Sequence, residues 1–336
     1  MRQTSFRRRA LAVAGLTAVA ALTLSACSSN DSGSGDGAAA EKVKIGISQF
    51  VQHPALDSAT EGFKQAFIDA GYVEGDTVEF DEQNANAEQA TAVTIAQGFA
   101  NSDDDLILAV ATPAAQAAAQ AITDKPVLFT AVTDAVSAEL VDSNEKPGAN
   151  VTGTSDLAPL DEQLKLIQEI VPGAKKVGIV YASGEVNSEV QVKAAEEAAK
   201  DLDLEIVTKT VTTANDIAQA TEALGDVDAI YVPTDNLVVS GIASLVQVAE
   251  TKQIPVIGAE AGTVEGGAVA TLGIDYTDLG HQTGEMAIKI LKDGADPADM
   301  AVEVSKSFTY VVNPGAAERM GVEIPKDILD QAETVE

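Results

Sequence analysis

Several polar clusters along the chain carry residue types suited to holding a small charged solute. Thr112-Pro113-Ala114-Ala115-Gln116 sets a hydroxyl and a proline at the head of an alanine-rich run. Threonine at an N-cap with proline at N1 predicts a helix start, and the free N–H groups of Ala114 and Ala115 would then suit a carboxylate. Asp156, Glu185 and Asp235 are carboxylates in other clusters that would pair with an ammonium group. Phe50, Phe129 and Tyr181 offer an apolar wall, although Phe129 sits within an expected strand and reads as core. His53, ahead of Pro54, reads as a loop-shaping hydrogen-bonding residue. The inventory suits a zwitterion with an apolar side chain.

Enzyme signatures are missing. The only histidines are His53 and His281, in different elements, and neither lies in a metal-ligand pattern such as H-E-x-x-H. There is no G-x-S-x-G elbow, no P-loop and no G-x-G-x-x-G after a strand. No catalytic residue, cofactor or metal is therefore expected, and the chain reads as a binding protein rather than an enzyme.

The elements that must position these clusters alternate. Strands are expected near 43–48, 78–83, 105–111 and 126–132, with helices near 58–70, 88–101 and 113–123. Ser58 and Glu61 fit a capping box for the first helix. Leu106–Ala111 is continuously apolar, as suits a strand buried on both faces of a parallel sheet. After the polar passage 150–159 the alternation restarts, with helices near 160–170, 186–201, 214–224 and 238–252. Strands are expected there near 176–181, 204–210, 228–232, 255–258, 268–274 and 308–312. The clusters Thr130–Asp134, Tyr181–Ser188 and Pro233–Asn236 fall at strand ends, where ligands of open parallel sheets bind. The pattern predicts an α/β fold of two similar doubly wound parallel-sheet lobes joined by a hinge. Lobe 1 is assigned to 43–153 plus about 276–304, and lobe 2 to 154–275 plus about 305–336.

The N-terminus is set apart. Arg2, Arg7, Arg8 and Arg9 precede an apolar run, Ala10–Leu24, that ends in Leu24-Ser25-Ala26-Cys27. Residues 1–26 read as a signal peptide with a lipobox, and Cys27, the single cysteine, as the lipidated first residue of the mature chain. The alternative is an ordinary secretory signal followed by a free thiol. Residues 27–42 are a Ser/Gly-rich tether. The formal net charge of −31 disfavours nucleic acid and anionic lipid headgroups as partners.

Gln49 with His53-Pro54-Ala55-Leu56-Asp57, Ala111–Gln116, Asn150–Asp156, Gly184–Ser188, Pro233–Asn236 and Ile274–Gly280 occur in order. In these blocks the chain resembles the ABC transporter substrate-binding protein family that includes tryptophan- and tyrosine-type uptake lipoproteins. The resemblance spans 43–332 and implies a type I periplasmic-binding-protein fold. It implies a monomer, lipid-anchored on the extracytoplasmic membrane face, that closes on a small solute and delivers it to a permease and its ATPase. An apolar or aromatic amino acid is the first-choice ligand. By block, the implied ligand residues are Gln49, His53, Leu56, Thr112, Ala114, Thr133, Asp156, Glu185, Asn187, Asp235 and Asn236, with Asp275 near the hinge. A ligand-sensing receptor subunit of the same fold, or capture of a solute other than an amino acid, is the alternative.

Overall fold

The computed structural model describes residues 42–305 and 307–335; the expected signal peptide and Cys27 lie outside them. In chain order come β1 (Val43–Gln49), α1 (Pro54–Asp69), β2 (Val78–Asn84), α2 (Gln89–Ala100), β3 (Leu106–Val110), α3 (Thr112–Ala121), β4 (Val127–Val132) and β5 (Val151–Ser155). Next are α4 (Leu160–Ile170), β6 (Lys176–Ala182), α5 (Val186–Asp201), β7 (Glu205–Val211), α6 (Ile217–Glu222) and β8 (Ala229–Val232). Then follow α7 (Asn236–Ser240), α8 (Ile242–Lys252), β9 (Val256–Gly258), α9 (Ala261–Glu265), β10 (Ala270–Gly273) and α10 (Tyr276–Asp293). The chain closes with β11 (Glu303–Val304), β12 (Thr309–Val312), α11 (Pro314–Arg319), α12 (Lys326–Leu329) and β13 (Glu333–Thr334).

Two sheets result, ordered β11-β5-β4-β3-β1-β2 and β13-β12-β10-β9-β8-β6-β7. Within them β2-β1-β3-β4-β5 and β7-β6-β8-β9-β10 repeat one doubly wound order. Its switch points lie beside β1 in the first sheet and beside β6 in the second. Every residue of β3 is buried, so its unbroken apolar run follows from helices covering both faces. β12 runs antiparallel to β10, a departure from the all-parallel expectation. Each sheet has its own core, one around Phe63, Phe99 and Phe129 and the other around Leu164, Tyr231 and Leu245. The chain passes between the sheets after β5, after β10 and after β11.

α10 follows the second sheet in sequence yet packs against α1 of the first lobe. Glycine makes this approach possible. A Cβ on Gly280 would stand 1.9 Å from the Ala59 carbonyl oxygen, and one on Gly62 2.0 Å from that of Thr277.

Several local expectations are corrected. α1 starts at Pro54 with His53 as its extended N-cap, so Ser58 lies in the helix interior and forms no capping box. Proline's fixed φ sets that start four residues earlier than the polar pattern implied. α3 begins at Thr112, and its N-cap is Ala111 at φ 80°. The Ala115 N–H donates to the Ala111 carbonyl, so it is not free for an anion. The helix expected over 238–252 is two, parted at Gly241, whose Cβ would meet Ile217 Cδ1 at 2.5 Å.

Candidate functional site

Between the lobes lies a small cavity with an empty volume of about 280 Å³. The first lobe and α10 supply His53 and Leu56 from the start of α1, Ala131 and Thr133 from the end of β4, Asp156 after β5, and Tyr276. The second lobe supplies Asn187, Thr234, Asn236, Val239 and Glu260. The register shift in β4 between Phe129 and Val132 turns its end toward the partner lobe, with Ala131 at φ 55°. Such local strain is held in place by surrounding structure and clusters at ligand sites. Thr133 and Thr234 join hydroxyls across the lobes at 3.1 Å.

Four lining residues carry a buried polar atom with no hydrogen-bond partner: His53 Nδ1, Asp156 Oδ1, Asn187 Oδ1 and Glu260 Oε1. Buried polar groups are almost always paired, so four unpaired ones around one cavity mark a place built for another molecule's polar groups. Asp156 Oδ2 accepts from the Tyr276 hydroxyl at 2.9 Å, and Glu260 Oε2 from the Gly262 N–H at 2.8 Å. Each carboxylate is thereby fixed with one oxygen left to give.

Electrostatics follow from burial. Desolvation raises the Asp156 carboxyl above its ordinary value, with the Tyr276 and Thr133 hydroxyls working against it. Burial pushes Glu260 up to about 7, helped by the charges of Glu265 and Asp156. Burial pushes His53 down to about 4, so its imidazole is neutral at neutral pH and serves as donor and acceptor. Among the described residues no lysine or arginine is buried.

The expected site residues divide. His53, Leu56, Thr133, Asp156, Asn187 and Asn236 line the cavity together. Glu185 and Asp235 stand just behind it, with their oxygens used within their own lobe. Glu185 accepts from the N–H groups of Asn236 and Leu237 and from the side chains of Asn187 and Asn236. Asp235 accepts from Ala182 N–H, the Ser188 hydroxyl and Val238 N–H, which caps α7. Burial raises both, and each repels the other's charge.

Gln49 is tied into the first lobe by Val51, Asp57 and Thr60. Ala114 is core, and Thr112 is buried away from the cavity lining. Asp275 is exposed and caps α10 through Thr277 and Asp278 N–H. The aromatic wall is also reassigned. Phe50 and Phe129 belong to the first core and Tyr181 packs against the second, whereas Tyr276 is the aromatic residue at the cavity.

Ala131, Thr234, Val239, Glu260 and Tyr276 were not anticipated. Thr234 and Tyr276 lie inside flagged blocks. Glu260 follows β9 at a strand end, the same signal that flagged the others.

The family model described as ABC transporter substrate binding protein matches residues 44–336. The chain belongs to that family. A tyrosine-binding protein of Clostridioides difficile is 43% identical over 312 residues, 90% of this chain and 89% of the relative. Among solved structures, an ABC domain in complex with L-Trp from Streptococcus pneumonia is similar at 37% identity and TM-score 0.84. That match covers 88% of this chain and all of the other. The ligand-free, open structure of a substrate-binding protein with adhesive properties from Clostridium difficile is 44% identical, yet its TM-score is 0.68. It covers 88% of this chain and 99% of its own. Higher identity with poorer superposition points to a different setting of the lobes. This substrate-binding protein shares its setting with the tryptophan complex, in keeping with its inter-lobe hydrogen bond and enclosed cavity.

As a member of this family the protein binds a small solute for an ABC transporter and works outside the cytoplasm. Among the described residues no group of acidic, histidine or cysteine side chains is placed to hold a metal ion. No described helix is long and apolar enough to cross a membrane.

Proposed function

We propose that this protein captures an aromatic or apolar L-amino acid of the tyrosine and tryptophan class in the inter-lobe cavity. The observation that carries the reading is the set of unpaired polar atoms around that cavity. Asp156 Oδ1, Glu260 Oε1 and Asn187 Oδ1 are acceptors from both lobes and suit an ammonium group. The donors at hand for a carboxylate are His53, Thr133 and Thr234. Leu56, Val239, Ala131 and the Tyr276 ring give the side chain an apolar surround. The names of the two liganded relatives support this class.

Capture works by hinge closure. A ligand touching both lobes stabilises the closed form by its differential affinity for it. The two lobes are 43–153 plus about 276–304 and 154–275 plus about 305–336. Lipidation at Cys27 tethers the protein beside its permease, and the protein acts as a monomer that performs no catalysis.

The test is a thermal-shift screen against the twenty amino acids, small peptides, sugars and nucleosides. A ligand at 100 times its Kd adds about 2.7 kcal/mol and raises Tm by several degrees. A shift with aromatic or apolar amino acids supports the reading; a shift only with sugars or nucleosides overturns the ligand class.

A further inference from the structure

Asp156 and Glu260 come from opposite lobes and meet at one cavity, each with an oxygen that no protein group satisfies. No buried lysine or arginine accompanies them among the described residues. The groups around Glu260 offer no compensation. Asp156 and Tyr276 share its cavity, Glu265 lies on its own helix, and Asp275 and Glu333 line the cleft behind it. α1 presents Pro54, Ala55 and Ser58 to that cleft and β12 presents Thr309 and Val311, none of which titrates between pH 4 and 9. The one base at the cavity is His53, neutral above about pH 4.

Closing an empty cleft over two ionised carboxylates would trap like charges without a counter-ion. One proton removes that conflict, and so does one ammonium group. We propose that the ligand's ammonium replaces a proton on Glu260, so that amino-acid capture releases H⁺ and acid closes the empty cleft in the ligand's place. This rests on the amino-acid reading of the cavity. The exchange balances: the empty closed form holds Glu260 as the neutral acid, the complex holds its carboxylate against –NH₃⁺, and the proton leaves to solvent. No covalent bond of the ligand changes.

The sign is fixed by linkage. In the closed empty cavity Glu260 lies at about 7 against an ordinary 4.5, and a neighbouring ammonium lowers it again. Affinity therefore rises with pH between those values and levels off above, by at most ~tenfold per pH unit for one proton.

The experiment uses the full-length chain with L-tyrosine and L-tryptophan. Titration calorimetry at pH 6 in buffers of different ionisation enthalpy counts protons released, and Kd is followed from pH 5 to 8. Small-angle scattering of the ligand-free protein follows closure over the same range. Expected are net proton release, weaker binding at pH 5 and a smaller radius of gyration at pH 5 than at pH 8. Glu260→Gln, which imitates the neutral acid, should remove both pH dependences while keeping the wild-type circular dichroism.

Amino-acid binding with no proton release and a constant Kd overturns the exchange and leaves the amino-acid reading standing. Proton release that persists in Glu260→Gln but disappears in Asp156→Asn overturns the assignment to Glu260. If no amino acid binds, the ligand reading fails, and scattering still decides whether acid closes the cleft.

Discussion

Replacing Asp235 separates two roles that the sequence could not. As a ligand for an ammonium group, Asp235 would be dispensable to the fold. The structure gives it different work. It is fully buried, and its oxygens accept from Ala182 N–H at 2.6 Å, the Ser188 hydroxyl at 2.7 Å and Val238 N–H at 2.8 Å. Asp235→Ala would leave three buried donors without an acceptor, each costing about 1–3 kcal/mol. Relief of the repulsion with Glu185 offsets part of this, as does water entering the space. A net loss of about 3 kcal/mol remains at the low end of that range. In a lobe-sized unit this lowers Tm by roughly 6–12 °C. Thermal denaturation without ligand is the deciding assay, because a binding role alone leaves the ligand-free Tm unchanged. A ligand-free variant melting within 2 °C of wild type but failing to bind would refute the capping argument and return Asp235 to the ligand.

Three further outcomes are expected. Gly280→Ala sets a methyl against the Ala59 carbonyl oxygen and wedges α1 from α10; overpacking of this kind costs about 1–3 kcal/mol. Because α1 starts beside His53 and Leu56 and α10 starts at Tyr276, ligand Kd should rise with the drop in Tm, and calorimetry on the variant checks both. Thr133→Val removes the hydroxyl that meets Thr234 across the lobes, which is worth about 0.5–1.5 kcal/mol, and scattering should show a more open ligand-free form.

Ligand-free stability should decline as pH rises from 4.5 through about 7. Glu260 is raised in the folded state, so its proton stabilises the fold below 4.5 and that contribution is lost through its folded value. Melting curves at pH 5 and 8 in 1 M salt, which screens the acidic surface, check the sign, and Glu260→Gln should flatten the difference.

Legibility varied with the range of the interactions involved. The unbroken apolar strand at Leu106–Val110, the strand–helix alternation and the polar clusters at strand ends come from side-chain chemistry repeated along the chain. They were therefore readable as two α/β lobes with a recognition cleft between them. Local competition set the helix starts. Proline at position 54 overrode the Ser58 capping pattern, and the contact of Ile217 with Gly241 split a helix that periodicity joined.

Sequence alone determined the class of groups available, namely hydroxyls, amides and carboxylates suited to a zwitterion, and it placed six of the cavity's residues. Only the tertiary structure decided which carboxylates are free to meet a ligand. Asp235 and Glu185 spend their oxygens on nearby backbone and side-chain donors, whereas Asp156 and Glu260 each keep one oxygen unspent. A carboxylate's role depends on what else lies within about 3 Å of it, and residues brought together from two lobes, such as Glu260 and Asp156, share that distance only after folding.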